Sequence, residues 1–400
     1  MNIGDHAEIF IHTVAFGGDG MGRIDDLVVF VPFTVEGDHC EITITAVKKN
    51  YLKGHLEKIL KPSLLRRAPL CPYYQVCGGC QYQHIDYDHQ MTIKQKQVWE
   101  TFERIGKIEA PDFKMVIPSP REYHYRGKAD FQIQRSKRGN PSVGFIDTAN
   151  RMVVDIERCE IVDESINVKL SNLRWNLAVS NARLTEDRYA LWSDPEGGIT
   201  VTDPNNMHPP KYIERFAKGK RFQVPYRGFF QTNTVLVDNL VDTVLAMCGL
   251  DGNETILDTY CGSGLFSIFL APKAKQVFGI DNDGTAIHCA KINSRNERLD
   301  HVAFYRGDVG AVLKSTFDKI ETTIDCVILD PPRTGCEKEV LNAVLALKPQ
   351  KVVYISCNPA TQARDSRYLI DGGFSLKSFQ PLDMFPQTRH IEVVAVLEIR

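Results

Sequence analysis

From Gly228 to the C-terminus, short apolar runs (TILD, VFGID, VAFYRGD, DCVILD, KVVYISC) alternate with segments of helical length. Strands of a parallel sheet are buried on both faces and read as compact apolar runs, each joined to the next by a crossover helix. The alternation therefore specifies a Rossmann-like α/β domain, a mostly parallel sheet with helices on both faces. The last two runs, FSLKSF and HIEVVAVLEI, have only QPLDMFPQTR between them. An antiparallel end to the sheet is expected there.

Upstream the pattern changes. Residues 1–60 carry the strand-like runs HAEIFIHTVAF, DLVVFVPF and CEITITAV, with the turn cluster GGDGMGR among them. Several short strands in so few residues suggest a small β-barrel whose outer face can take an oligonucleotide, although barrels that serve only packing read the same way. Residues 61–227 read as a mixed central domain. A cysteine-rich turn, CPYYQVCGGC, is followed by a helix over about 88–105 and strands at KADFQIQ, SVGFID and RMVVDIE. The Pro- and Gly-rich stretch from Ser193 to Phe222 has no clear pattern. The expected domains are thus 1–60, 61–227 and 228–400.

The net charge of −2 argues against a nucleic-acid binder until it is divided. Residues 1–227 hold 31 Lys/Arg and 29 Asp/Glu, whereas 228–400 hold 17 and 21. Lys48, Lys49, Lys53, Lys58, Lys61, Arg66 and Arg67 stand against the single anion Glu57, a stripe able to neutralise phosphates or simply to face water. No apolar run approaches the ~18–20 residues of a membrane span, and no basic cluster precedes an apolar stretch at Met1. The expectation is a cytoplasmic protein with no membrane role and no obligate protein partner. Its 11 cysteines then need a use other than disulfides.

Asp258-Thr-Tyr-Cys-Gly-Ser-Gly264 follows one strand and opens a helix. Gly262 and Gly264 allow a tight turn and close approach of a ligand to the backbone. Asp281 ends the next strand, placed to take two ribose hydroxyls, and Asp308 ends the third, placed to meet an adenine edge. The third glycine of a dinucleotide site is missing. The set suits an adenosyl ligand without a pyrophosphate, S-adenosylmethionine. A phosphate or NAD unit, or an empty turn, is the competing reading.

Asp330-Pro-Pro-Arg333 ends the fourth strand, and Ser356-Cys-Asn-Pro359 the fifth. A cysteine ahead of a helix lies where a partial positive charge lowers its pKa. Glu392, in DMFPQTRHIE, offers a carboxylate nearby. Thiol and carboxylate together suit one reaction. Carbon 5 of uracil is a poor nucleophile until a thiolate adds to carbon 6; carbon 5 then attacks a methyl donor, and a base must remove its proton before the thiol leaves. Cys357 is the expected nucleophile and Glu392 the base, with Asp330 holding the uracil edge or the cofactor. An amino-nitrogen methyltransferase would carry an aromatic where Arg333 stands, and would leave Cys357 without a role.

Gly228-Phe-Phe-Gln-Thr-Asn233, the 258–264 turn, Ile328-Leu-Asp-Pro-Pro-Arg333, Tyr354-Ile-Ser-Cys-Asn-Pro359 and Asp383 through Glu392 resemble, in order and spacing, the motif series of the RNA 5-methyluridine (uracil-C5) methyltransferases. The resemblance implies cofactor contacts from Gln231, Tyr260, Asp281 and Asp330, and an aromatic, Phe229, stacking near a target base extruded from folded RNA. Residues 1–60, with AFGGDGMGR, resemble the TRAM domain, an OB-type RNA-binding barrel. Tyr125-Arg-Gly-Lys128 is similar to the family's YRNK-like segment, from which Gly127 departs. The resemblance also implies that the 88–105 helix packs on the catalytic domain.

Cys71-x5-Cys77-x2-Cys80 is compact, and Cys159 is the only other cysteine of the central segment. Four cysteines hold either zinc or a [4Fe–4S] cluster, and composition does not decide. The layout is similar to that of the ribosomal members of the family, which favours iron–sulfur in a structural or RNA-docking role. The expected substrate is RNA, 23S ribosomal RNA before transfer RNA. A non-catalytic iron–sulfur RNA-binding protein is the alternative from another class, and the presence of both Cys357 and Glu392 weighs against it.

Overall fold

The computed structural model describes residues 1–108, 112–135, 141–179, 187–193, 211–316 and 323–400. Much of the stretch without a clear sequence pattern lies outside them. The chain opens with β1 (His6–Val14), β2 (Gly20–Ile24), β3 (Leu27–Val31), β4 (His39–Val47) and β5 (Tyr51–Lys61). They close a barrel in the order β1-β2-β3-β5-β4. Alternation sends Ile9, Ile11, Val29, Val31, Ile42, Ile44 and Leu52 inside. Asp38, buried under the barrel, is paired with Arg66 at 2.8 Å, which fastens the chain leaving β5.

Helix α1 (Tyr87–Arg104) starts at Asp86, whose side chain accepts the Asp88 amide. Its apolar side, with Val98 and Phe102, joins the core beneath the carboxy-terminal sheet. Phe102 stacks on Phe379 at 4.7 Å between centroids. The short strand β6 (Asp112–Phe113) adds to the edge of that sheet. Residues 61–227 therefore contribute to two packed units. One is the four-stranded sheet of β7 (Lys128–Gln134), β8 (Ser142–Ile146), β9 (Val153–Asp155) and β10 (Arg188–Trp192), covered by α2 (Glu164–Val179). The other includes α1. The hairpin of β11 (Tyr212–Ala217) and β12 (Lys220–Pro225) leads into α3 (Val237–Cys248).

The carboxy-terminal sheet follows the alternation of the sequence. Its strands are β13 (Thr255–Thr259), β14 (Gln276–Asp281), β15 (Val302–Arg306), β16 (Cys326–Leu329), β17 (Lys351–Ser356), β18 (Phe374–Leu382) and β19 (Glu392–Ile399). The helices between them are α4 (Leu265–Leu270), α5 (Gly284–Asn296), α6 (Val309–Thr316), α7 (Lys338–Leu347) and α8 (Pro359–Asp371). The order is β15-β14-β13-β16-β17-β19-β18-β6. The first five strands pair in parallel, and β19 runs antiparallel between β17 and β18, as the last two apolar runs suggest. Order reverses between β13 and β16, the switch point at which such sheets hold ligands.

The barrel is fixed to this sheet. Gln97 of α1 donates to Ala15 O at 2.9 Å, and Arg389, in the β18–β19 loop, donates to Gly17 O at 3.1 Å. Among the described residues no helix is long and apolar enough to cross a membrane.

Candidate active site

The turn from β13 into α4 places Tyr260, Gly262 and Gly264 at φ 58°, 54° and 84°. A Cβ on Gly264 would lie 3.2 Å from Phe304 Cζ and 3.3 Å from Ala290 Cβ, in addition to the left-handed backbone. A tyrosine at positive φ is a local cost, of the kind found where a loop is shaped for a ligand. Asp281, at the end of β14, accepts the Gly262 amide at 2.9 Å and the Asp283 amide at 2.8 Å. It thus fixes the turn, and each oxygen keeps a further lone pair. Asp308 follows β15, is exposed, and accepts the Ala311 amide at 2.9 Å at the start of α6. The Tyr260 ring stands near Asp308 and Cys336.

Asp258 is fully buried. Its Oδ2 takes the amide and hydroxyl of Ser267, while Oδ1 and the Ser263 Oγ are buried with no hydrogen-bond partner. Burial, then the charge of Asp281, pushes the Asp258 carboxyl up to about 7. Unpartnered polar atoms beneath a glycine turn fit a polar ligand that supplies the missing bonds.

The second half of the site is built by strand register. Ser356 of β17 pairs with Val393 of β19, so the next residues outward, Cys357 and Glu392, meet across neighbouring strands. Leu329 of β16 pairs with Tyr354, which puts Asp330 beside them on the other flank. Glu392 is 5% exposed; burial, then Asp330, holds its carboxyl well above the usual range, with Arg333 opposing. Asp330 is pushed up to about 8 by burial, then by Asp258 and Asp281.

Cys357 corrects an expectation. Its place before α8 was expected to lower its pKa. Instead burial, followed by the Glu392 charge, pushes the thiol up to about 11. Asn358, the N-cap, takes the Ala360 amide at 3.2 Å. The lowering influence comes from the guanidinium of Arg333 beside the thiol. Asn358 Nδ2 donates to Arg333 O at 3.0 Å, fixing the arginine beside the cysteine. The sequence reading used Arg333 only to exclude an amino-nitrogen substrate; its position directly after the paired prolines was the available signal.

Gln231 is buried two residues before Asn233, which donates to Ser119 Oγ at 3.1 Å and Met384 O at 3.3 Å. Phe229 is 67% exposed, next to Gly228, whose carbonyl accepts from Lys128 Nζ at 2.9 Å. An aromatic held out in water is available for stacking. The departure at Gly127 has a packing reason. A Cβ there would lie 2.6 Å from Arg215 Nη2 and 2.9 Å from Ser193 Oγ.

Cys71, Cys77, Cys80 and Cys159 line one cavity of about 230 Å³, with Tyr73, Tyr74 and Arg126. Burial raises all four thiols, Cys159 to about 12. Among the described residues, no three His, Cys, Asp or Glu side chains converge closely enough to ligate a single metal ion.

Residues 215–400 match the tRNA (uracil-5-)-methyltransferase family and residues 2–56 the TRAM domain. An uncharacterized RNA methyltransferase of Halalkalibacterium halodurans is 32% identical, over 100% of this chain and 98% of its own length. One from Gloeobacter violaceus is 33% identical, over 99% and 97%. The crystal structure of Pyrococcus abyssi tRNA (uracil-54, C5)-methyltransferase with S-adenosyl-L-homocysteine superposes with a TM-score of 0.71 at 25% identity, covering 98% of this chain and 100% of that one. The chain is an RNA methyltransferase and belongs to the uracil-5-methyltransferase family.

Proposed function

We propose that the protein transfers a methyl group from S-adenosylmethionine to carbon 5 of a uridine in 23S ribosomal RNA, acting in the cytoplasm. The observation that carries the chemistry is the meeting of Cys357 and Glu392 across β17 and β19, flanked by Asp330 and Arg333. When bound, S-adenosylmethionine supplies an electrophilic methyl group. Tyr260, Gly262, Gly264, Asp281 and Asp308 shape its site, Asp258 and Ser263 offer unfilled bonds to it, and Gln231 and Asp330 close the side toward the uracil.

Arg333 compensates the charge of the Cys357 thiolate as its sulfur forms a bond to carbon 6. The electrons of the 5,6 double bond move toward carbon 5 and the O4 carbonyl, and carbon 5 takes the methyl group as the methyl–sulfur bond of the donor breaks, its electron pair leaving on the sulfur of S-adenosylhomocysteine. Glu392, as carboxylate, then removes the carbon 5 proton. The C–H pair restores the double bond, the carbon 6–sulfur bond breaks, and its electrons leave with Cys357 as thiolate. Phe229 stacks on the extruded uracil or its neighbour.

The four-cysteine cavity supports a [4Fe–4S] cluster held by Cys71, Cys77, Cys80 and Cys159. Its volume is several times the ~30 Å³ of one water molecule, and all four cysteines line it. Thiols whose burial disfavours ionisation fit a group whose positive charge would ionise them. No methyl-transfer step needs it. The barrel and this cavity together favour ribosomal RNA. A tRNA substrate is the second reading, favoured by the likeness to the Pyrococcus abyssi tRNA (uracil-54, C5)-methyltransferase.

The test is to incubate purified protein and labelled S-adenosylmethionine with 23S rRNA and tRNA from a strain lacking the gene. The proposal expects 5-methyluridine in 23S rRNA and none with Cys357→Ala. Methylation of tRNA alone selects the second reading; a methylated amino nitrogen defeats both. Four irons per chain, lost in Cys159→Ser, are expected by elemental analysis, and stoichiometric zinc contradicts the cluster.

A further inference from the structure

The loop 383–391 turns the chain from β18 into β19, and Leu382 faces Glu392 in the register that closes it. It is held from outside the sheet, by a buried ion pair reaching across the chain. Lys94 Nζ, on α1, donates to Asp383 Oδ1 at 2.6 Å and to Phe385 O at 3.1 Å. Tyr87 Oη, also on α1, donates to Asp383 Oδ2 at 3.0 Å and accepts the Ser119 amide at 2.9 Å. The Lys94 and Asp383 side chains are both 0% exposed.

Stability alone is a weak reason for such a pair. Removing two charges from water is costly, and apolar residues of similar volume often serve the fold as well or better. What an apolar pair lacks is direction. The ammonium bonds the first and third residues of the loop at once, and the carboxylate is fixed on both oxygens. The site reached by that loop depends on geometry, since displacements near 1 Å from productive alignment cost about 10²-fold in rate.

We propose that the Lys94–Asp383 pair is a positioning device for Glu392, through which α1 sets the carboxylate against carbon 5 of the methylated, cysteine-bound uracil. The inference rests on Glu392 being the base. Lys94 and Asp383 do not touch substrate; they act through the loop, so their loss slows the release step selectively and leaves addition and methyl transfer running.

The experiment uses the full-length protein with its RNA substrate and labelled S-adenosylmethionine, quenched in denaturant and resolved for covalent protein–RNA adduct. The double variant Lys94→Met/Asp383→Leu removes both charges, so neither is stranded. Tyr87→Phe keeps both charges and removes one bond to Asp383. The double variant is expected to accumulate methylated adduct and to release it about 10–100-fold more slowly than wild type, with an unchanged KM for S-adenosylmethionine. Tyr87→Phe is expected to slow release severalfold, which carries the test if the double variant does not fold. A merely structural role lowers the active fraction and leaves the release rate of the remaining active molecules unchanged; wild-type release rates in the folded variants overturn the inference. Glu392→Gln is the control. If it stalls as adduct while both variants release normally, only the positioning inference falls. If Glu392→Gln itself releases normally, the base assignment falls and this inference with it.

Discussion

Glu392→Gln is predicted to make the Cys357 thiol more acidic. Burial and the Glu392 charge are the two largest influences that push the thiol up to about 11. Residues meeting across antiparallel strands lie ~5 Å apart, and an effective dielectric of ~20 gives about 3 kcal/mol for two charges at that distance. Cys357 is half-buried, so solvent screening reduces this to about 1.5 kcal/mol, or about 1 in pKa. Glutamine keeps the shape and removes the charge, so the ionisation midpoint falls toward ~10. The assay is the rate of iodoacetamide alkylation between pH 7 and 11, followed by mass spectrometry on the peptide containing Cys357. Arg333→Leu is predicted to move the midpoint the other way, because the guanidinium opposes the rise. An unchanged midpoint in Glu392→Gln, or an upward shift, would refute the electrostatic coupling of these two residues.

Asp330→Asn should stabilise the ligand-free protein at pH 8 and not at pH 4. The folded carboxyl keeps its proton up to about 8 whereas the unfolded one releases it near 4, so stability is full at low pH and is lost as pH rises through that window. After discounting for partial exposure the gain is about 1–3 kcal/mol, read as a higher melting temperature at pH 8 that converges with wild type at pH 4. Gly264→Ala should abolish calorimetric binding of S-adenosylhomocysteine, since a Cβ crowds Phe304 and Ala290 on a left-handed backbone; wild-type affinity would contradict the turn's role. Phe229→Ala should raise KM for RNA, with a stacking loss of ~1–3 kcal/mol, and leave KM for S-adenosylmethionine unchanged.

The catalytic sheet was legible because each buried strand is a short apolar run, and the two acceptor ends at Asp258 and Asp281 follow such runs directly. Cys357 and Glu392 were legible from residue type and motif. Their meeting was not, because it depends on β19 inserting antiparallel beside β17 rather than following β18 at the edge. The contact between Lys94 and Asp383 spans 289 positions and leaves no local pattern. Strand β6, two residues long, carries no periodicity at all. The ionisation of Cys357 departs from the helix-start expectation for a related reason. The helix start is visible in sequence, whereas burial and an opposing carboxylate exist only after folding.

The most direct measurement is the reaction with RNA whose uridines are replaced by 5-fluorouridine. Fluorine on carbon 5 cannot leave as a proton, so Glu392 has nothing to remove and the methylated ring stays bound through carbon 6. The account predicts a denaturation-resistant protein–RNA species whose single cross-linked peptide contains Cys357, and which is absent in Cys357→Ala. An adduct mapped to another residue, or one that persists in Cys357→Ala, would contradict it.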